Sequence, residues 1–150
     1  MDLMDLAPPN WVERRKLTEA NLVADIDYVW RDIKQALEDS VRSFNSEYGG
    51  SAESKSINGH RFRIFYVYEE QSGRTLLSHR VEIDIDFDKN ARKVKAESPS
   101  NYSTVQRYLP LTFAICADHA SAYLCDKDDR RIIADEFARL VLEPLFFPKR

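Results

Sequence analysis

The stretch VEIDIDFDKN, residues 81–90, puts Val81, Ile83, Ile85 and Phe87 on one parity and Glu82, Asp84, Asp86 and Asp88 on the other. A period of two predicts a strand with one buried and one wet face. Two further stretches share the rhythm, His60 to Glu69 and Arg92 to Glu97, so 60–97 reads as a three-strand meander. The period upstream is different. From about Thr18 to Tyr48 the apolar positions Leu22, Val23, Ile26, Val29, Trp30, Ile33, Leu37, Val41, Phe44 and Tyr48 recur in steps of three and four. That spacing predicts one face of a helix, ended by Gly49-Gly50. Trp11 and Leu17 belong to a short preceding turn or to the same helix. About thirty residues make a rod of about 45 Å, more than a small sheet can cover.

The remaining segments are less regular. SAESKSIN, 51–58, is polar and reads as a loop leading to an Asn58-Gly59 turn. The stretch 108–125 holds four alanines and could be helical, but Leu109, Leu111, Phe113 and Ile115 alternate. Two strands with a tip at Asp118-His119 are expected. DKDDRR is a charged loop, and a last helix starts near Ala134 or Asp135. Its buried face is Phe137, Leu140, Val141 and Leu145, and Pro144 ends or kinks it. Residues 1–10 form a loose arm closed by Pro8-Pro9. The order predicts one α+β domain over 1–150. A long N-terminal helix packs on an antiparallel sheet of about five strands, a meander plus a hairpin, and a C-terminal helix follows. The layout is similar to that of small helix-on-sheet modules such as secretion chaperones and cystatin-like binding domains, a likeness that carries no function by itself.

With a turn at Ser72-Gly73, Glu82 lies opposite Arg63, Asp84 opposite Arg61, Phe62 opposite Ile83 and Ile64 opposite Val81. With a turn at Lys89-Asn90, Asp86 meets Lys93 and Asp84 meets Lys95. Both counts sort apolar against apolar and acid against base. The carboxylates therefore read as a neutralised charge ladder and not as a cation site, which needs convergent free oxygens. Phe65 and Val67 fall on the charged face and are candidates for a partner surface.

Composition narrows the classes. Of 150 residues, 43% are apolar and 31% charged, and the formal charge is −3. A nucleic-acid binder usually shows a basic domain or stripe, and none is present. No run approaches a membrane span, the N-terminus lacks a signal-peptide pattern, and two cysteines are too few for a disulfide scaffold. A soluble, cytoplasmic protein is expected, with no cofactor.

Candidate chemistry is sparse. Cys116, His119 and Cys125 with neighbouring Asp118 and Asp126 offer one corner of a zinc site, but a second ligand pair is missing. His79, counted opposite Tyr66, joins Tyr68 and Trp30 as the lining of a ligand pocket beneath the long helix. Asp126, Asp128 and Asp129 lack the glycine and distal glutamate of a calcium loop. No phosphate loop, nucleophile elbow or zincin motif occurs. The expectation is a non-catalytic protein-interaction or adaptor module, chaperone-like and homodimeric, with a protein partner or itself. The alternative is a small-molecule-binding or enzymatic domain with its pocket between helix and sheet.

Overall fold

The long helix, α1, runs from Trp11 to Tyr48, 38 residues, or about 57 Å at 1.5 Å per residue. Trp11 and Leu17 belong to it. Asn10 caps it: its side chain accepts from the Glu13 amide at 2.9 Å, which satisfies one free donor of the first turn, and donates to the Glu13 carboxylate at 3.2 Å. One stripe is buried: Leu22, Ile26, Trp30, Ile33, Leu37, Val41 and Phe44. Val23 and Tyr48, in phase by the count of threes and fours, are exposed. The computed structural model describes residues 7–100 and 103–148, the side chains of Tyr68, Glu70 and Ser103 excepted. Residues 1–6 of the expected arm lie outside them.

After α1 come β1 (Glu53–Asn58), β2 (Arg61–Ser72), β3 (Thr75–Asp88), β4 (Lys93–Glu97), the short α2 (Ser103–Gln106), β5 (Leu111–Ala117), β6 (Ala122–Cys125), β7 (Arg131–Ile132) and α3 (Ala134–Phe146). Among the described residues the strands form one antiparallel sheet of seven in sequence order. The expected α+β layout of long helix, antiparallel sheet and C-terminal helix is found, with more strands than the five expected. β1 is the segment read as a loop. It is polar on both faces because it is an edge strand, held by backbone pairing and not by burial, and its Lys55 suits an exposed edge. β7 is too short to show any period.

The core lies between one sheet face and the layer of α1 and α3. Phe62, Ile64, Val81, Ile83, Ile85, Val94 and Ala96 are its sheet side, and Phe137, Val141, Leu142 and Leu145 its α3 side. Leu142, not Leu140, completes the α3 face, and the helix continues two residues past Pro144.

Each hairpin register is two residues from the simple count. Arg63 pairs with Asp84, Arg61 with Asp86, Ile64 with Ile83 and Phe62 with Ile85. The turn is Gly73-Arg74, with Gly73 at φ +62°; hairpin twist favours positive φ at the first turn position. Asp86 pairs with Lys95, Asp88 with Lys93 and Asp84 with Glu97. The loop there is 89–92, closed by the Ala91 amide donating to Asp88 and by Arg92 at φ 56°. Cys116 pairs with Tyr123 and not with Ser121, because the tip spans 118–121, where Asp118 accepts from the Ala120 and Ser121 amides.

Candidate functional site

The sheet face away from the helices carries the charge ladder. Arg61 donates to Asp86 at 2.6 Å, and Arg63 grips Asp84 through two bonds of 2.5 and 3.1 Å. Asp84 is only 6% exposed, although it lies on the side expected to be wet. Long neighbouring side chains shield it, and the bidentate guanidinium compensates its charge. The carboxylates hold both guanidinium groups above the usual arginine range. No group of three or more His, Cys, Asp or Glu among the described residues converges as a metal site.

Cys116 and Cys125 lie diagonally across β5 and β6 on this same face, within thiol hydrogen-bonding reach. Burial and then Cys116 push the Cys125 thiol up to about 12. His119 is exposed at the loop tip, so the expected zinc corner becomes a thiol pair with the imidazole turned to solvent.

The expected ligand pocket is not drawn together either. Trp30 stacks on Phe87 with centroids 5.2 Å apart and donates to the Gly59 carbonyl at 2.9 Å. Tyr66 packs near the other end of α1, against Phe44 and Phe146 at 5.7 and 5.4 Å. Trp30 and Phe44 are about 21 Å apart along the helix. His79 faces Tyr68 across the ladder, and Tyr66 faces Val81. Sequence reasoning placed all four on one face but had no measure of distance along it. Phe65 lies under the Arg80 guanidinium, 4.6 Å from the ring centre, and faces Glu82; Val67 is exposed opposite Arg80.

An aromatic cluster that the sequence did not announce sits where α1 and α3 end. Phe44 and Phe146 stack at 4.0 Å and 6°, and Tyr48 meets Phe147 edge-on at 4.8 Å. Two glycines make this possible for different reasons. Gly49 takes φ +65° to cap α1, and Gly50 leaves room for the Phe44 ring, which a Cβ there would meet at 2.5 Å. Asn45 fastens the following turn through both the amide and the carbonyl of Ala52. Outside the stack, α1 and α3 leave a groove of about 280 Å³ lined by Phe44, Tyr48, Leu142, Phe146 and Phe147. Glu47, Asp135, Glu143 and Arg139 form its rim, with the Arg139 guanidinium held between Glu136 and Glu143. Exposed tyrosine and phenylalanine are the residue types that anchor protein contacts.

Beside the cluster the sheet narrows to an arm. The last β1–β2 pair is Glu53 with Phe65, and the last β3–β4 pair is Asp84 with Glu97. Beyond them, among the described residues, β2 and β3 pair with each other alone, out to Ser72 and Thr75. That ribbon extends roughly 24 Å at about 3.4 Å per residue, and Val67, Leu76 and Leu77 are exposed on it.

No protein-family model, curated protein or solved structure matches the chain. No helix among the described residues is long and apolar enough to cross a membrane.

Proposed function

We propose that this chain is a non-catalytic protein-interaction module, adaptor- or chaperone-like, that works as a homodimer. The arm is the observation that carries the reading. A two-stranded ribbon alone in water is marginally stable, and among the described residues no further strand pairs with its edges, the kind of edge on which another chain can add. Leu76 is 61% exposed on it. A ribbon of this composition gains most from a surface that covers it, and the aromatic groove at its base extends the same apolar region. Two-fold pairing is the commonest way for one chain to cover such a patch. A cytoplasmic setting accords with a chain that has only two cysteines.

Light scattering over a concentration series tests the reading. The expected mass is twice the 17.5 kDa protomer, and replacing both Leu76 and Leu77 by Ser weakens the association. A strict monomer at the highest concentration overturns it.

A further inference from the structure

The first ten residues of α1, Trp11 to Ala20, project past the body of the protein and are almost wholly exposed. Trp11 is 71% exposed. Arg14 and Arg15, three and four positions on, share its face of the helix. Their present contacts are slight: Arg14 reaches the Pro9 carbonyl at 3.4 Å, and Arg15 meets Glu19 at 3.5 Å with both side chains in solvent. Such exposed pairs contribute little. Among the described residues the projection thus presents one exposed aromatic ring and two guanidinium groups with only these slight contacts. The groove at the opposite end of α1 is the converse, an aromatic floor whose rim is negative on balance: Glu47, Asp135 and Glu143 against one arginine, Arg139, already engaged by Glu136 and Glu143. Among the described residues neither Glu47 nor Asp135 has a cationic partner.

We infer that the groove between α1 and α3 takes the Trp11–Arg15 face of a second copy's α1, with Trp11 against Tyr48 and Phe147 and the arginines on the Glu47 and Asp135 rim. Both residue types and charges match, and an aromatic-anchored helix in a groove is a common mode of protein recognition. The projection of one α1 cannot reach the groove at its own far end. α1 is one unbroken helix, and Trp11 and Phe44 lie about 50 Å apart along it. Two copies side by side and head to tail place each projection over the other's groove, a closed two-fold arrangement. The docked helix then lies beside the arm's base, where Tyr66 borders the cluster.

This inference rests on the homodimer reading, and sedimentation of five full-length chains separates the two. The wild type is expected to dimerise. Trp11→Ala weakens the dimer about thirtyfold, as loss of an aromatic anchor does. Arg14→Glu with Arg15→Glu, and Glu47→Arg with Asp135→Asn, each weaken it at least about tenfold, and the chain carrying all four recovers most of the loss. Every position is exposed, so far-UV circular dichroism is expected to be unchanged. A wild type that dimerises equally well with any of these changes, or losses that add in the combined chain, overturn the groove contact and leave the dimer reading intact. A monomeric wild type overturns both.

Discussion

Arg63 and Asp84 face each other across β2 and β3, joined by two hydrogen bonds on the face away from the helices. The carboxylate is buried there and the guanidinium about a quarter exposed. Removing one partner strands the other in a site shielded from water. Arg63→Ala is expected to cost about 3 kcal/mol, the low end for a buried pair because Arg63 still touches solvent. Denaturant unfolding of Arg63→Ala, Asp84→Ala and the double variant measures it. Strong coupling is expected; a double loss equal to the sum of the singles contradicts the pairing. Glu82, which faces Phe65, is expected to show little coupling to Arg63.

Gly50→Ala is expected to destabilise by about 1–3 kcal/mol. Its Cβ would come within 2.5 Å of the Phe44 ring, whose freedom to shift is restricted by the Phe146 ring stacked on it at 4.0 Å. Gly49→Asn, at φ +65° with open space, is expected to be close to neutral, since Asn tolerates that conformation. Thermal unfolding of the two variants checks the contrast. A Gly50→Ala chain as stable as the wild type would refute the packing.

Stability is expected to fall on the alkaline side. Burial pushes the Tyr108 hydroxyl up, and burial with Cys116 pushes the Cys125 thiol up to about 12. In the unfolded chain both groups ionise nearer their ordinary values of 10.0 and 9.0. Between the unfolded and folded values, the native state retains protons that the unfolded state has lost. Their stabilisation is therefore complete below about pH 9 and is lost progressively as pH rises above it. Tyr108→Phe removes the tyrosine share of the slope. It also forgoes the 2.8 Å bond to the Val141 carbonyl, at about 1 kcal/mol. Urea unfolding at a series of pH values reads both effects.

The two thiols are expected to differ in reactivity. Cys116 is half-buried and Cys125 buried with its thiol held protonated. The thiolate is the reactive form. At neutral pH one equivalent of an alkylating reagent is expected to enter the native protein, at Cys116, and the second only on unfolding. Peptide mapping by mass spectrometry identifies the site, and native modification of Cys125 first would contradict the burial.

Asn10→Ala is expected to fray the start of α1 and leave the core untouched. The cap serves the projection alone, so the loss of about 1 kcal/mol is local. Amide exchange is expected to quicken over 13–16, with no change at Ile33 or Leu37. Quickened exchange along the whole helix would show the projection to be coupled to the body.

Parity along each strand settled which side chains face the helices. A strand exposes alternate residues to alternate faces, so Ile83 and Ile85 had to be buried together and Asp84 and Asp86 had to point away. The helix of threes and fours was legible for the same reason, down to Trp30, Ile33 and Phe44. A shift of two residues preserves parity, so the facing of β2 to β6 was readable while the three hairpin registers were not. Those depended on Gly73, on the 89–92 loop and on the 118–121 tip. β1 was invisible because an edge strand is held by backbone bonds, which leave no hydrophobic pattern.

The groove needed three dimensions. Phe44, Tyr48, Tyr66 and Phe146 lie in three separate elements, and only the crossing of α1 and α3 at the end of β2 brings their rings into contact. Distance along a face was equally beyond the sequence. Trp30 and Tyr66 share the helix-facing layer, and pattern alone joined them in one pocket. Periodicity records which way a side chain points, because that is fixed by local backbone geometry. Which pointing side chains meet is fixed by where rigid elements cross, and that was decided only when the chain packed.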